Sequence, residues 1–170
     1  MDAHYDQVMK ARDGAGQGMK KYFAYSTILD REAFLEWRDQ HSYGFFDLPK
    51  GELAEAADLT LVYDFPSRWW GGRVAGLQDA PGHRVCGVVF EISEKDWPII
   101  SHKEGGVTGM CVERPVRVKL TSGQEVDAIA FTTNPARASL DGPVSTRFLE
   151  ALTRGARSAG LSEAWVHSLT

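Results

Sequence analysis

Apolar and polar positions change period along the chain, and the changes mark its elements. Tyr22-Phe23-Ala24-Tyr25 is a short unbroken apolar and aromatic run, which predicts a buried strand. Asp30 stands where it can cap a helix over Arg31–Gln40, in which Phe34, Leu35 and Trp37 form a short apolar stripe. Leu59 to Phe65 alternates as a half-buried strand does. Trp69-Trp70-Gly71-Gly72 is a bulky turn, Val74–Leu77 predicts a short strand, and Asp79-Ala80-Pro81-Gly82 predicts another turn. Arg84–Ile92 carries Val85, Val88, Val89, Phe90 and Ile92, the content of a core strand.

A helix-like stretch then begins at Ser93, with Glu94 and Asp96 near its start and Pro98 in its first turn. It runs to Lys103 and stops at Glu104-Gly105-Gly106. Cys111–Leu120 alternates, with Pro115 marking an edge or a bulge. Thr121–Gln124 predicts a hairpin turn, and Glu125–Thr132 answers it with Val126, Ala128, Ala130 and Thr132 on one face. The clearest helix spans Ser145–Ala159 and is stopped by Gly160; Phe148, Leu149, Leu152 and Ala156 share one stripe. A short helix around Glu163–Leu169 follows. Strands cluster in the middle and helices flank them, which predicts an α+β fold with a mixed or antiparallel sheet. Residues 1–19 differ: Val8-Met9 is their one apolar pair, and Asp13–Gly18 is Gly-rich. A flexible appendage is expected there, with room for a short helix, and an ordered domain over residues 20–170.

Composition narrows the function classes. A chain of 170 residues is one domain's length and can bury roughly 70% of its unfolded surface. With 43% hydrophobic and 25% charged residues, disorder throughout is disfavoured. The net charge of −4 disfavours a general electrostatic nucleic-acid binder. Cys86 and Cys111 make neither a disulfide framework nor a metal cluster, and each sits in an apolar run that predicts a buried, reduced thiol. His4, His41, His83, His102 and His167 lack ligand spacing, and nucleotide-binding and hydrolase signatures are absent. The expectation is therefore no metal and no cofactor. Residues 1–21 lack the apolar core of a secretory signal. No apolar run approaches the ~20 residues that span a bilayer. A cytoplasmic protein is expected, monomer or homodimer, with neither membrane nor nucleic acid as partner.

Two segments could carry chemistry. In Lys103-Glu104-Gly105-Gly106-Val107-Thr108-Gly109-Met110, a carboxylate ends a helix-like stretch and meets a Gly-rich turn. Glycines let backbone approach a ligand, and a shielded carboxylate suits general base work. The plain alternative is a solvated helix end. Tyr25-Ser26-Thr27-Ile28-Leu29 is a hydroxyl-rich turn leaving the first strand, able to offer N–H groups to an anion or simply to cap the next helix.

In this order, these segments resemble the γ-glutamylcyclotransferase family, whose opening reads Tyr-Phe-Ala-Tyr-Gly-Ser-Asn-Leu where this chain has Tyr22 to Leu29. The resemblance continues through Trp70-Gly71-Gly72, Val85-Cys86-Gly87-Val88-Val89-Phe90, Glu104-Gly105, Gly109-Met110 and Phe131-Thr132-Thr133-Asn134. It ends with Ser145-Thr146-Arg147-Phe148, Gly155-Ala156 and Ala159-Gly160-Leu161, so that it covers residues 20–170. It implies a small mixed β-barrel flanked by helices and release of 5-oxoproline from a small-molecule γ-glutamyl substrate. The glutamyl α-amine attacks its own γ-amide carbonyl and the other amine leaves, which requires one carboxylate to move a proton and donors to hold the anionic groups. On this resemblance Glu104 is the catalytic acid and base. Tyr22, Tyr25, Ser26, Thr27, Ile28, Leu29 and Gly105 belong to the substrate site.

The chain also departs from the family pattern. Ser26 replaces a loop glycine, which would strain a left-handed backbone there; Ile28 replaces an asparagine; Cys111 and Phe148 stand at substrate-site positions where tyrosine is common. Loss of a substrate hydrogen bond costs ~1–3 kcal/mol. Two alternatives to a divergent cyclotransferase follow. One is an inactive binding or interaction module on the same fold. The other is a different carboxylate-dependent reaction, such as hydrolysis. Trp69 and Trp70 read as packing over the barrel, Arg137 as a solvated turn residue, Glu52–Asp58 as a solvated acidic face, and His102 as pointing away from Glu104.

Overall fold

The computed structural model describes residues 3–170. Five strands close into a barrel in the order β1 (Met19–Ala24), β3 (Gly72–Ser93), β2 (Glu52–Ser67), β4 (Cys111–Leu120), β5 (Glu125–Thr133). Neighbours are antiparallel except at the closure, where β1 meets β5 in parallel at Tyr22 and Ile129. The sheet is therefore mixed, and helices flank it. Phe23 of β1 joins Ala56, Val85, Val118 and Ala130 in a core to which every strand contributes. Tyr22 and Ala24 face the other way, into a second core with Phe34, Trp37, Trp97 and Ile99. β1 is covered on both faces, which is why its sequence is an unbroken apolar run.

β2 and β3 form one long hairpin, and β3 is a single strand where the sequence predicted two shorter ones separated by a turn at 79–82. The strand pairing runs from Ala57–Arg84 directly to Leu59–Asp79, so residues 80–83 bulge out opposite Asp58. Asp58 takes φ 60° and Gly82 φ 82°, and the Gly82 N–H donates to the Asp58 carboxylate at 2.9 Å. The Pro-Gly signal marks a local kink there, and the strand resumes because its Val-rich second half still has β2 to pair with. The acidic run from Glu52 is likewise part of β2, with Ala54 and Ala56 buried between exposed or half-buried neighbours.

Over residues 1–19 the sequence predicts a flexible appendage with room for a short helix; residues 1–2 lie outside the described residues, and helix α1 (Ala3–Asp13) is docked rather than loose. Val8 is only 1% exposed, Tyr5 stacks on Tyr43, and Arg12 pairs with Asp96 at 2.5 Å. A buried valine, a ring stack and an ion pair anchor a helix whose own apolar content is too low to announce packing. Helix α2 (Arg31–Gln40) is capped by Asp30, whose carboxylate accepts from the Ala33 N–H. Helix α3 (Trp97–Lys103) has its proline in the first turn. Helix α4 (Thr146–Ser158) is capped by Ser145, and α5 (Glu163–Ser168) by Ser162. Phe148, Leu152 and Ala156 of α4 pack with Val74 and Ala75 of β3. Among the described residues, no helix is long and apolar enough to cross a membrane.

Candidate active site

Glu104 caps the C-terminus of α3, and its backbone N–H donates to Ile100 O at 2.9 Å. Gly105 follows in the left-handed region, at φ 87°, and reverses the chain toward β4; its carbonyl accepts the Cys111 N–H at 3.0 Å. A side chain at Gly105 would be strained by this backbone conformation, although it would meet Cys111 only in ordinary contact. Asn134 fixes the loop from the far side: its amide donates to Gly109 O at 3.0 Å and its N–H to Met110 O at 2.9 Å.

The Glu104 carboxylate accepts a hydrogen bond from the Tyr22 hydroxyl. Tyr22 is buried among Phe90, Trp97 and Phe131. Burial first, and then the Glu104 charge and hydrogen bond, hold its phenol well above the ordinary tyrosine range, so it remains a donor. Tyr25 is raised in the same way, chiefly by burial, and donates to Phe131 O. Burial, with Glu104 and Asp64 adding, also pushes the Cys111 thiol up. Cys111 is thus a neutral wall group and no nucleophile at neutral pH.

Beside Glu104 lies a cavity of about 140 Å³. Of the residues singled out in the sequence, Tyr25, Ser26, Thr27, Glu104, Gly105, Cys111 and Phe148 line it. Tyr22 stands behind Glu104 rather than on the wall. Ile28 and Leu29 are not brought to the cavity: Ile28 is buried with Ala24 and Phe34, and Leu29 packs against the same core. Thr27–Leu29 forms a single 3₁₀ turn that directs these apolar side chains inward. The turn's bonds use the N–H groups of Leu29 (to Ser26 O, 3.2 Å) and Asp30 (to Thr27 O, 2.9 Å), leaving those of residues 26–28 outside its hydrogen-bonded set. Ser26 sits at φ −115°, so the strain expected from replacing a glycine does not arise.

The cavity also recruits side chains the sequence did not assign to a site. Trp69 and Trp70, read there as packing over the barrel, join Trp37 and Phe65 in an aromatic wall. Trp70 packs edge-on to Phe148 at 5.6 Å and carries the Arg147 guanidinium over its ring at 5.4 Å. His102 and Lys103, immediately before Glu104, line the cavity as well. His102 is buried and hydrogen-bonded through Nδ1 to the Tyr43 hydroxyl at 2.8 Å. Burial lowers the Lys103 ammonium, while the neighbouring Glu104 charge opposes the shift. His102, read from the sequence as pointing away from Glu104, thus reaches the same cavity. Among the described residues, no group of three or more His, Cys, Asp or Glu side chains is placed to hold a metal.

This fold and this carboxylate-walled cavity define a class that comparison identifies. The AIG2-like family profile matches residues 84–169, half of the chain, and the chain belongs to that family. It is similar to the γ-glutamylcyclotransferase of Bos taurus, 26% identical over 144 residues, covering 82% of this chain and 71% of the relative. The Homo sapiens γ-glutamylcyclotransferase is also 26% identical, over 145 residues with the same coverage. A solved γ-glutamyl cyclotransferase shares the fold with a TM-score of 0.73 at 23% identity, over 89% of this chain and 86% of that one. So does a yeast γ-glutamyl cyclotransferase specific to glutathione, with a TM-score of 0.61 at 11% identity over 91% and 94% of the two chains. The chain is a divergent γ-glutamylcyclotransferase-like protein.

Proposed function

We propose that this protein releases 5-oxoproline and a free amine from a γ-glutamyl amide by intramolecular aminolysis, with Glu104 as acid and base. The observation that carries the reading is the Glu104 carboxylate, held by a buried phenol at the edge of a small cavity. A cavity of roughly 150 Å³ holds a benzene-sized guest. That is about the size of the five-membered ring the reaction forms, so the cavity suits a folded glutamyl group better than an extended peptide.

In the reaction, Glu104 takes a proton from the α-ammonium, and the freed amine attacks the γ-carbonyl carbon. The carbonyl electron pair moves to oxygen. As the tetrahedral intermediate collapses, the bond to the amide nitrogen breaks and Glu104 returns the proton to that nitrogen; the ring nitrogen gives up its second proton through Glu104 to the released amine, leaving a neutral lactam and an ammonium product. No water is consumed. Proton transfer of this kind contributes ~10²–10⁴-fold. The N–H groups of residues 26–28 and the Thr27 hydroxyl supply donors for the α-carboxylate and the developing oxyanion. The aromatic wall lowers the local dielectric and strengthens these interactions.

The reading of an inactive binding module loses one of its motives, because Ile28 faces the core and its lost amide takes nothing from the cavity. The deciding experiment is 5-oxoproline release from γ-glutamyl amino acids, γ-glutamylamines and glutathione, with Glu104→Gln in parallel. Product from the parent protein and none from the folded variant supports the reading. Normal turnover by the variant, or free glutamate as product, would refute it.

A further inference from the structure

Building on the cyclotransferase reading of the cavity, we propose that Lys103 is its carboxylate clamp: the ammonium pairs with the α-carboxylate of the γ-glutamyl group and restricts the site to γ-glutamyl compounds whose α-carboxylate is free. The cavity wall carries one carboxylate, Glu104, and one lysine or arginine, Lys103, on consecutive residues. The γ-glutamyl head group carries an ammonium and a carboxylate on one carbon. The two pairs are complementary: the base takes the ammonium's proton, and the neighbouring cation holds the carboxylate.

Lys103 is half-buried, and its ammonium lies 5.9 Å from the centre of the Trp37 ring. Among the described residues it forms no ion pair. Glu104 influences it through space, but no ion pair closes between them, and Tyr22 engages the Glu104 Oε1 atom. A partly desolvated ammonium is costly unless an anion pairs with it. Phe65, Phe131 and Phe148 on the same wall strengthen a pair formed there. With Lys103 carrying the carboxylate's charge, the donors of residues 26–28 remain for the oxyanion.

The test reads binding, so that it stands apart from turnover. Calorimetry would compare 5-oxoproline with its neutral carboxamide on the parent protein, Lys103→Met and Lys103→Arg. The parent is expected to favour the acid by about 10- to 100-fold. Lys103→Met should bind both compounds alike at the parent's carboxamide affinity, and Lys103→Arg should restore part of the preference. Equal affinity in the parent, no binding of the acid, or an undiminished preference in Lys103→Met would overturn the clamp. If Lys103→Met fails to fold, the parent's acid-to-carboxamide ratio and its change in Lys103→Arg still decide. A preference for the acid without any 5-oxoproline release would strike the proposed reaction and leave the clamp standing. Release from free-carboxylate and α-amidated substrates alike would strike the clamp and leave the reaction.

Discussion

The Tyr22 hydroxyl donates to the Glu104 carboxylate across 82 residues of sequence, tying the first barrel strand to the end of α3. Tyr22 is 1% exposed and walled in by aromatic rings, so the phenol is a fixed point against which the carboxylate is oriented. The bond engages Oε1. In Tyr22→Phe the fold should survive, because the ring still fills its site. kcat should fall about 10- to 100-fold, the worth of a hydrogen bond to a charged group, with little change in KM. Steady-state kinetics on γ-glutamyl substrates checks this; an unchanged kcat would separate Tyr22 from the reaction.

Gly155 lets α4 lie directly on the turn that borders the cavity. A Cβ at this position would come within 2.6 Å of the Asp30 N and 2.8 Å of the Leu29 C, both backbone atoms that cannot swing aside. Gly155→Ala is expected to destabilise by about 1–3 kcal/mol as an overpacked contact. It should also raise KM, because the shift is passed to residues 26–28. Thermal unfolding and KM measured together test the link; a stability loss with unchanged KM would uncouple the turn from the substrate.

Phe148 is 1% exposed, meets Trp70 and Tyr63 edge-on, and forms part of the cavity wall. Phe148→Ala should cost about 3–5 kcal/mol and enlarge the cavity. Chemical denaturation gives the first quantity. A loss below 1 kcal/mol would mean that the neighbouring rings collapse into the space.

Alkaline pH should weaken the fold. Tyr22 and Tyr25 are both raised by burial and by Glu104, so the folded protein keeps protons that an unfolded tyrosine releases from about pH 10. Their contribution is fully present below that value and is lost as pH rises toward the folded values. Cys86 and Cys111 are raised too, and add the same sign from about pH 8.5. Lys103, lowered by burial, acts in the opposite direction between its folded value and about pH 10.4. With four groups against one, urea midpoints should fall above pH 10, and less steeply in Tyr22→Phe. A flat profile to pH 11 would contradict the burial of these phenols.

Much of the fold was legible because its signals are local. Asp30 reads as a helix cap and acts as one, since a side-chain oxygen three residues before an N–H needs no distant partner. The Asp79–Gly82 signal misled because a kink and a chain reversal have the same local chemistry. Only pairing of Leu59 with Asp79 and Ala57 with Arg84 tells a bulge from a turn. Residues 3–13 carried too little apolar content to announce a docked helix, and the Arg12–Asp96 pair joins residues far apart in sequence.

For the site, the sequence by itself determined the carboxylate before a Gly-rich turn, the hydroxyl-bearing turn after β1, and the family to which these belong. Which side chains meet was decided by the tertiary structure. Barrel closure through Tyr22 and Ile129 brings the Tyr22 phenol to Glu104, and the 3₁₀ turn sends Ile28 and Leu29 into the core rather than the cavity. Packing of α3 beside α2 brings Lys103 over Trp37. The cavity lies between elements that are distant along the chain, so its walls depend on long-range packing, which no pattern of neighbouring residues encodes.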